Sequence, residues 1–210
     1  MRLPPAPFLY PIVDADTVGP SQVAAVVETL AAAGVRLLQL RAKALGDRAL
    51  LELARESVRA AHGHGALLVI DDRADVARLV AADGVHVGQD DLSPADVRAV
   101  VGPDAIVGFS THNLEQIDEA GGEPIDYVAL GPIFATRSKQ NPDPVVGLPG
   151  LAAARARTRL PLVAIGGITR ANAAAVAAAG ADGLAVISDL LRSADLAAAV
   201  RDFEAALRAG

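Results

Sequence analysis

The stretch Ala81-Ala82-Asp83-Gly84-Val85-His86-Val87 returns later in the chain as Gly180-Ala181-Asp182-Gly183-Leu184-Ala185-Val186. In both copies an Ala-Asp-Gly turn leads into a short apolar run, which is the pattern of a buried strand entered through a tight turn. A repeat of this kind indicates a fold built from two similar halves. We therefore expect the two strands to lie on opposite sides of one closed sheet.

Similar short runs of Val, Ile and Leu lie on both sides of each copy, separated by Ala-rich amphipathic stretches with Gly, Pro or Asp at the junctions. Apolar strands joined by crossover helices are typical of a parallel sheet covered on both faces. Strands are predicted near 8–13, 35–41, 66–70, 84–87, 105–108, 126–130, 161–165 and 183–187, each followed by a helix.

Eight strand-helix units in 210 residues fit the lower size limit of a closed barrel, whereas an open doubly wound sheet usually has fewer strands. We therefore predict an α/β fold, a (β/α)8 TIM barrel that forms one domain over residues 1–210. The open sheet is the alternative. In such barrels the chemistry lies at the carboxyl ends of the strands, so polar residues just after each apolar run are the candidates for function.

Composition excludes several classes of function. The net charge of −6 argues against a sequence-independent nucleic-acid binder, which needs a basic surface. The chain has no cysteine, which excludes disulfides, thiolate nucleophiles and zinc–thiolate sites. It shows neither a secretory leader nor an apolar stretch of the ~20 residues that a membrane span needs. We expect a cytoplasmic protein that binds no membrane.

Three polar residues alternate at the end of the second predicted strand, namely Gln39, Arg41 and Lys43. The period of two places them on one face, above Val35 and Leu37. Since two of the three are cations aimed at one spot, the pattern predicts an anion site at the barrel mouth. A solvated strand end is the alternative.

Pairs of carboxylates follow the next two strands: Asp71 and Asp72 after the third, and Asp90 and Asp91 after the fourth. Carboxylates at neighbouring strand ends suit Mg²⁺, which usually takes one or two of them together with phosphate oxygens and water. Asp is also a frequent helix cap. The local pattern leaves both interpretations open.

The later strands lead into further polar segments. Ser110 and His112 follow the fifth strand, and His112 is either a general base or the first turn of a helix. A long polar loop over 131–147 follows the sixth, and it contains Lys139, one of only two lysines in the chain. Loops of this length in a compact domain are usually functional.

Glycines after the seventh strand, Gly166 and Gly167, and Ser188 after the eighth form the pattern of a barrel phosphate cup. In such a cup backbone N–H groups face an anion. The pattern predicts a phosphate ligand and does not specify a reaction.

Taken in order, these segments resemble the motifs of the thiamine-phosphate synthase family over about residues 9 to 190. The motifs are QLRAK, DDRADVA, DGVHVGQDDL, GFSTHN, GPIFATRSKQNPDPVVGL, AIGGI and GLAVIS. The resemblance implies an enzyme, a transferase that condenses 4-amino-2-methyl-5-(diphosphooxymethyl)pyrimidine with a thiazole phosphate and releases diphosphate, assisted by Mg²⁺. The implied partners are these small-molecule substrates.

The resemblance also implies a role for each matching residue. The pyrimidine diphosphate would be bound by Gln39, Arg41, Lys43, Asp71, Ser110 and Lys139. Catalysis would depend on Arg41, Lys43, Ser110 and Lys139. The thiazole phosphate would be bound by Thr136, Ser138, Gly167, Ile187 and Ser188. Mg²⁺ would be held by Asp72 and Asp91.

The chain departs from the family pattern at the end of the third strand, where the family has Asn-Asp-Arg and this chain has Asp71-Asp72-Arg73. A carboxylate here would repel a diphosphate. We expect Asp71 either to turn away and pair with a cation such as Arg73, or to join Asp72 as a metal ligand.

Two other functions are compatible with the same fold. A thiazole tautomerase of the same superfamily would use His112 as an acid or base, but it would not need the cationic residues that bind diphosphate. A non-catalytic sensor of a phosphorylated ligand is the second, because a fold alone does not fix function.

Overall fold

The computed structural model describes residues 3–136 and 143–209, and within them eight parallel strands close into a barrel. Closure occurs between the first and last strands, where Phe8 pairs with Gly183 and Pro11 with Val186. The predicted barrel is therefore confirmed and the open sheet is excluded. The two strands that carry the internal repeat lie on opposite sides of the barrel, as expected.

The strands are β1 Phe8–Asp14, β2 Leu37–Arg41, β3 Leu67–Asp71, β4 Gly84–Val87, β5 Ile106–Thr111, β6 Tyr127–Leu130, β7 Leu162–Ile165 and β8 Gly183–Val186. Their ends lie within two residues of the predicted ends, except that β5 continues to Thr111. That extension carries Ser110 inside the strand instead of after it.

The helices are α1 Ala15–Val18, α2 Val23–Ala32, α3 Asp47–His62, α4 Ala74–Val80, α5 Pro94–Val101, α6 Leu114–Ala120, α7 Gly147–Arg157, α8 Ala173–Ala178, α9 Ser188–Leu191 and α10 Leu196–Ala209. A 3-10 turn, Pro20–Gln22, precedes α2. Among the described residues no helix is both long enough and apolar enough to cross a membrane.

Two hydrophobic layers follow from the strand alternation. The outer layer, between strands and helices, is aliphatic apart from a few aromatic rings. The inner layer fills the barrel, and it contains both tyrosines of the chain, Tyr10 and Tyr127. Leu37 lies inside the barrel below Gln39 as predicted. Val35 does not, because it precedes β2 and packs in the outer layer.

Three aspartates stand immediately before β4, β6 and β8 at the amino-terminal end of the barrel, which we call the floor. They are Asp83, Asp126 and Asp182. In each case one carboxylate oxygen accepts a backbone N–H from the preceding strand. The donors are the nitrogens of Leu68, Val107 and Leu162, at 2.7, 2.8 and 2.8 Å.

The same carboxylate oxygen also contacts a basic side chain from the helix that precedes that strand. The partners are His62 Nε2 at 2.8 Å, Arg98 Nη2 at 2.8 Å and Arg155 Nη1 at 2.7 Å. Each floor clamp thus ties a helix and two neighbouring strands through one carboxylate. The Ala-Asp-Gly repeat in the sequence contains the aspartates of two of these clamps, Asp83 and Asp182.

We predict that Asp83→Ala lowers the free energy of unfolding by about 1–3 kcal/mol, because the buried Leu68 N–H loses its acceptor. Asp83→Asn keeps an acceptor oxygen and should cost less. Urea denaturation measures both, with Glu52→Ala on the exposed face of α3 as the control. Wild-type stability in Asp83→Ala would show that the clamp contributes nothing.

Candidate active site

A cavity of about 660 Å³ opens at the carboxyl end of the barrel. The predicted site residues that line it are Gln39, Arg41, Lys43, Asp71, Asp72, Asp91, Ser110, Thr136, Gly167, Ile187 and Ser188. Ser138 and Lys139 lie outside the described residues, in the segment 137–142. The segment starts and ends beside residues that line the cavity, Thr136 and Asp143. A second, more open depression of about 810 Å³ at the floor contains none of the predicted residues.

The two cations of β2 and its following turn are held by carboxylates. Arg41 Nη1 lies 2.6 Å from Asp14 Oδ1, and Arg41 Nε lies 3.7 Å from Asp71 Oδ2. Lys43 Nζ lies 3.6 Å from Asp71 Oδ2 and also contacts the carboxylate of Asp72. The alternation in the sequence therefore does bring Arg41 and Lys43 to one place, where they share Asp71.

Asp14, at the end of β1, is a site residue that the sequence reading missed. Its carboxylate is buried, accepts the Thr17 hydroxyl at 2.7 Å and fixes the orientation of Arg41. The signal was available, because Asp14 directly follows the apolar run of β1, the position from which site residues come in barrels.

Asp71 pairs with cations, as one of the two expectations had it, but its partners are Arg41 and Lys43 and not Arg73, and it does not turn away from the cavity. The Arg73 guanidinium lies 2.7 Å from Asp47 and 2.6 Å from Asp75, on the exposed side of the chain. Burial raises the pKa of the Asp71 carboxyl, and the two neighbouring cations oppose that rise. The charge of Asp71 is therefore offset inside the cavity, by Lys43 and Arg41.

The helix-cap interpretation of the aspartates is also wrong. No side chain caps the start of α4, and α5 is capped by Ser93, whose hydroxyl accepts the Asp96 N–H at 3.2 Å. Asp91 Oδ2 instead accepts the Gly88 N–H at 2.7 Å. Asp72 adopts a left-handed backbone conformation, with φ of 60°. The carboxylates of Asp72 and Asp91 thus belong to the cavity.

Below the cavity, polar side chains from five strands form one continuous row, which we call the interior chain. Gln39 Nε2 donates to the Tyr10 hydroxyl at 3.1 Å, and the Tyr10 and Tyr127 hydroxyls lie 2.8 Å apart. His86 Nδ1 lies 2.9 Å from the Tyr127 hydroxyl, and His86 Nε2 lies 2.8 Å from Ser110 Oγ. The interior chain joins two predicted ligand residues, Gln39 and Ser110, through three residues that were not predicted.

The glycine pair after β7 forms a tightly packed turn. Gly167 has φ of 66°, and a Cβ atom there would lie 2.7 Å from both Ala135 O and Phe134 Cβ. Asn172 fixes the turn, because its Nδ2 donates to Gly167 O at 3.0 Å and its Oδ1 accepts the Thr169 N–H at 2.8 Å. Glycine is required here by close packing as well as by the backbone conformation.

His112 lines the cavity and is not in the first turn of a helix. The next helix, α6, begins at Leu114 and is capped by Asn113. His112 Nδ1 lies 2.9 Å from Gly131 O and 3.4 Å from Asp143 Oδ2. The imidazole therefore ties β5 to both described ends of the loop after β6.

Comparisons with known proteins agree with this geometry. The family model for thiamine monophosphate synthase matches residues 9–190. A thiamine-phosphate synthase of Koribacter versatilis is 55% identical over 189 residues, covering 88% of this chain and 89% of that protein. One from Azorhizobium caulinodans is 43% identical over 200 residues and 94% of each chain.

A solved structure, the thiamine phosphate pyrophosphorylase from Pyrococcus furiosus, superimposes with a TM-score of 0.86 at 32% identity over 96% of both chains. Sequence and structure thus agree over nearly the whole length. The chain belongs to the thiamine-phosphate synthase family, and it is a transferase of thiamine biosynthesis.

Proposed function

We propose that the cavity binds the aminopyrimidine diphosphate beside β2 to β5 and the thiazole phosphate beside β6 to β8, and couples them there. The observation that carries this assignment is the arrangement of the cavity itself. Its cations, Arg41 and Lys43, lie on one side, and the glycine turn at Gly167 and the start of α9 at Ser188 lie on the other. One opening thus offers separate places for two phosphorylated ligands.

The reaction needs no protein nucleophile. The carbon–oxygen bond to diphosphate breaks with its electron pair leaving on oxygen, and the thiazole nitrogen lone pair forms the new carbon–nitrogen bond. The departing diphosphate gains negative charge, so cations fixed in advance stabilise the transition state more than the ground state. Arg41 and Lys43 take this role, and Lys139 takes it from the segment 137–142.

The charge of the cavity favours a divalent cation. Among its described lining residues there are two cations, Arg41 and Lys43, against the six carboxylates of Asp71, Asp72, Asp90, Asp91, Asp143 and Asp189. Two anionic substrates would be repelled by this surplus of carboxylates. Additional positive charge is therefore needed, beyond that of Arg137 and Lys139 in the segment between Thr136 and Asp143.

Mg²⁺ suits the available ligands. In the described part of the chain no group of three or more acidic, histidine or cysteine side chains could hold a metal. Mg²⁺ needs only one or two carboxylates when substrate phosphate and water complete its shell. Asp72 and Asp91 would hold it. When bound, the ion supplies charge stabilisation to the leaving diphosphate.

The thiazole phosphate is assigned to the turn after β7 and the start of α9. Gly167 and Ser188 would offer backbone N–H groups, together with Ile187, and Thr136 and Ser138 would offer hydroxyls. The hydrogen bonds of Asn172 to this turn hold the turn's backbone in one conformation.

We also propose that residues 1–210 act as one domain, in the cytoplasm.

We predict that formation of thiamine phosphate requires Mg²⁺ and that Asp72→Ala and Asp91→Ala each lose most activity. The matched control is Asp90→Ala, since Asp90 lines the same cavity without an assigned role. All three variants should keep the barrel fold, because none of these side chains caps a helix. Full activity of the wild type in excess chelator would refute the metal requirement.

Asp71→Asn should leave activity unchanged or raise it by lowering the KM for the pyrimidine diphosphate. A carboxylate about 4 Å from a phosphate charge repels it by roughly 4 kcal/mol at an effective dielectric constant of 20. Because Asp71 pairs with Arg41 and Lys43, the Mg²⁺ concentration for half-maximal activity should not change. A rise in that concentration would instead indicate a metal ligand.

A decrease in kcat/KM of more than about tenfold at saturating Mg²⁺, which is ~1.4 kcal/mol of transition-state stabilisation, would contradict the view that Asp71 is only tolerated. Activity is measured with both substrates varied separately.

Gly167→Ala should raise the KM for the thiazole phosphate by at least about tenfold, with little change in the KM for the pyrimidine diphosphate. The added methyl group would displace the segment at Phe134 and Ala135. Gly65→Ala is the matched control, because Gly65 has φ of 69° but open space around it. If both variants bind the thiazole phosphate equally well, the phosphate lies elsewhere.

A further inference from the structure

The interior chain connects the two ends of the aminopyrimidine site. We propose that Tyr10, Tyr127 and His86 are positioning residues that fix opposite hydrogen-bonding roles at its ends: Ser110 donates to a ring nitrogen, and the Gln39 carbonyl accepts from the exocyclic amine. The inference rests on the assignment of the aminopyrimidine to this side of the cavity. It extends that assignment to three uncharged residues that lie below the cavity and orient the side chains in contact with the pyrimidine.

All links of the chain are neutral near pH 7. Burial raises the pKa of both tyrosine hydroxyls, and His86 is buried with a hydroxyl at each ring nitrogen, where a charged imidazole would be costly. A neutral imidazole has one donor and one acceptor nitrogen, and a hydroxyl donates one hydrogen bond. Each residue of the interior chain can therefore donate its hydrogen bond in only one direction along the chain at a time.

The orientation of Gln39 sets that direction. Its Nε2 donates to Tyr10, so the Tyr10 hydroxyl donates to Tyr127, and the Tyr127 hydroxyl donates to His86 Nδ1. His86 then carries its hydrogen on Nε2 and donates to Ser110 Oγ. The Ser110 hydroxyl hydrogen is left to point into the cavity, together with the Gln39 carbonyl oxygen.

The opposite direction is unfavourable with Gln39 in this orientation. Tyr10 would then accept from both Gln39 and Tyr127, and its own buried hydrogen would have no acceptor among the described residues. Burying an unpaired donor is costly. Turning over the Gln39 amide would allow the reverse direction, but it would exchange the roles at both ends together. The reversed arrangement would match the 4-oxo form, so the preference for the amino form follows from the Gln39 orientation in this structure, in which Nε2 donates to Tyr10.

This pairing matches an aminopyrimidine and mismatches an oxopyrimidine. A 4-amino group is a donor beside a ring nitrogen that accepts, whereas the 4-oxo form has an accepting carbonyl beside an N–H that donates. A site whose buried polar groups are fixed rejects an analogue that leaves them unpaired. The interior chain therefore predicts selection of the amino form.

Close packing fixes the positions of the aromatic rings in the interior chain. Tyr127 stacks on His86 with ring centres 5.5 Å apart, and it meets the edge of Tyr10 at 5.8 Å. Gly108 makes the space for Tyr127, since a Cβ atom on Gly108 would lie 2.1 Å from Tyr127 Cζ. The hydroxyl of Tyr127 is thus held between its two partners.

The first test removes the central hydroxyl by Tyr127→Phe. The dissociation constants of the 4-amino and 4-oxo pyrimidine diphosphates are measured by calorimetry with Mg²⁺, and their ratio gives the preference for the amino form. We expect the preference to fall by at least about tenfold, with the KM for the thiazole phosphate unchanged.

Thr111→Val is the matched control. Thr111 follows Ser110 on β5, its side chain points to the opposite face, and its buried hydroxyl donates to Ala129 O at 2.9 Å. This variant loses a buried hydrogen bond and should lose stability, but it should keep the preference. A purely structural role for Tyr127 would make Tyr127→Phe behave like Thr111→Val, and this result would overturn the inference.

The second test uses His86. In His86→Gln the amide nitrogen can replace Nε2 as the donor to Ser110, whereas His86→Leu has no donor. Recovery of most of the preference in the Gln variant alone supports the chain, and equal loss in both variants contradicts it. Failure of the wild type to form thiamine phosphate would instead refute the proposed function, which keeps the two failures distinct.

Discussion

Closure of the sheet between β1 and β8 is the constraint on which the site depends. In an open sheet, Gln39 on β2 and Ser188 after β8 would lie near opposite edges. Pairing of Phe8–Pro11 with Gly183–Val186 leaves only β1 between those strands, so both ligand regions share one rim. An eight-stranded barrel is also just wide enough for side chains. Polar groups inside it must therefore satisfy one another, as the interior chain does.

The strand positions could be predicted because each buried strand is mainly an apolar run, and Gly, Pro or Asp marks several of the junctions with the helices. Barrel geometry then identified the rim residues, including Gln39 and Arg41, without any contact information. The interior chain was out of reach, because Tyr10 and Tyr127 alternate with aliphatic residues like any core aromatic. Their meeting depends on the stagger of strands far apart in sequence, which no local pattern encodes. The partners of Asp71 were missed for the same reason, since the nearest cation in sequence, Arg73, points to the solvent side.

The carboxylates beside Arg41 both orient its guanidinium and offset part of its charge. Asp14 and Asp71 hold Arg41 in place before any ligand arrives, so little side-chain entropy remains to be lost on binding. The same carboxylates offset part of its charge. The side of the cavity around Arg41 is thus rigid but only weakly positive by itself, so its affinity for an anion depends on a further cation that binds together with that anion.

The floor clamps give the barrel an uneven resistance to opening. Clamps stand before β4, β6 and β8, but Arg36 occupies the matching place before β2, and in the described part of the chain its guanidinium contacts only the carbonyls of Val35 and Ala31. Regions with fewer such ties open at lower free energy. The backbone amide hydrogens where β1 and β2 meet at the floor should therefore exchange with solvent deuterium before those of Leu68 and Leu162. The strand that carries Arg41 would then be the first to fluctuate against its neighbour, while the strands joined by the three clamps stay paired.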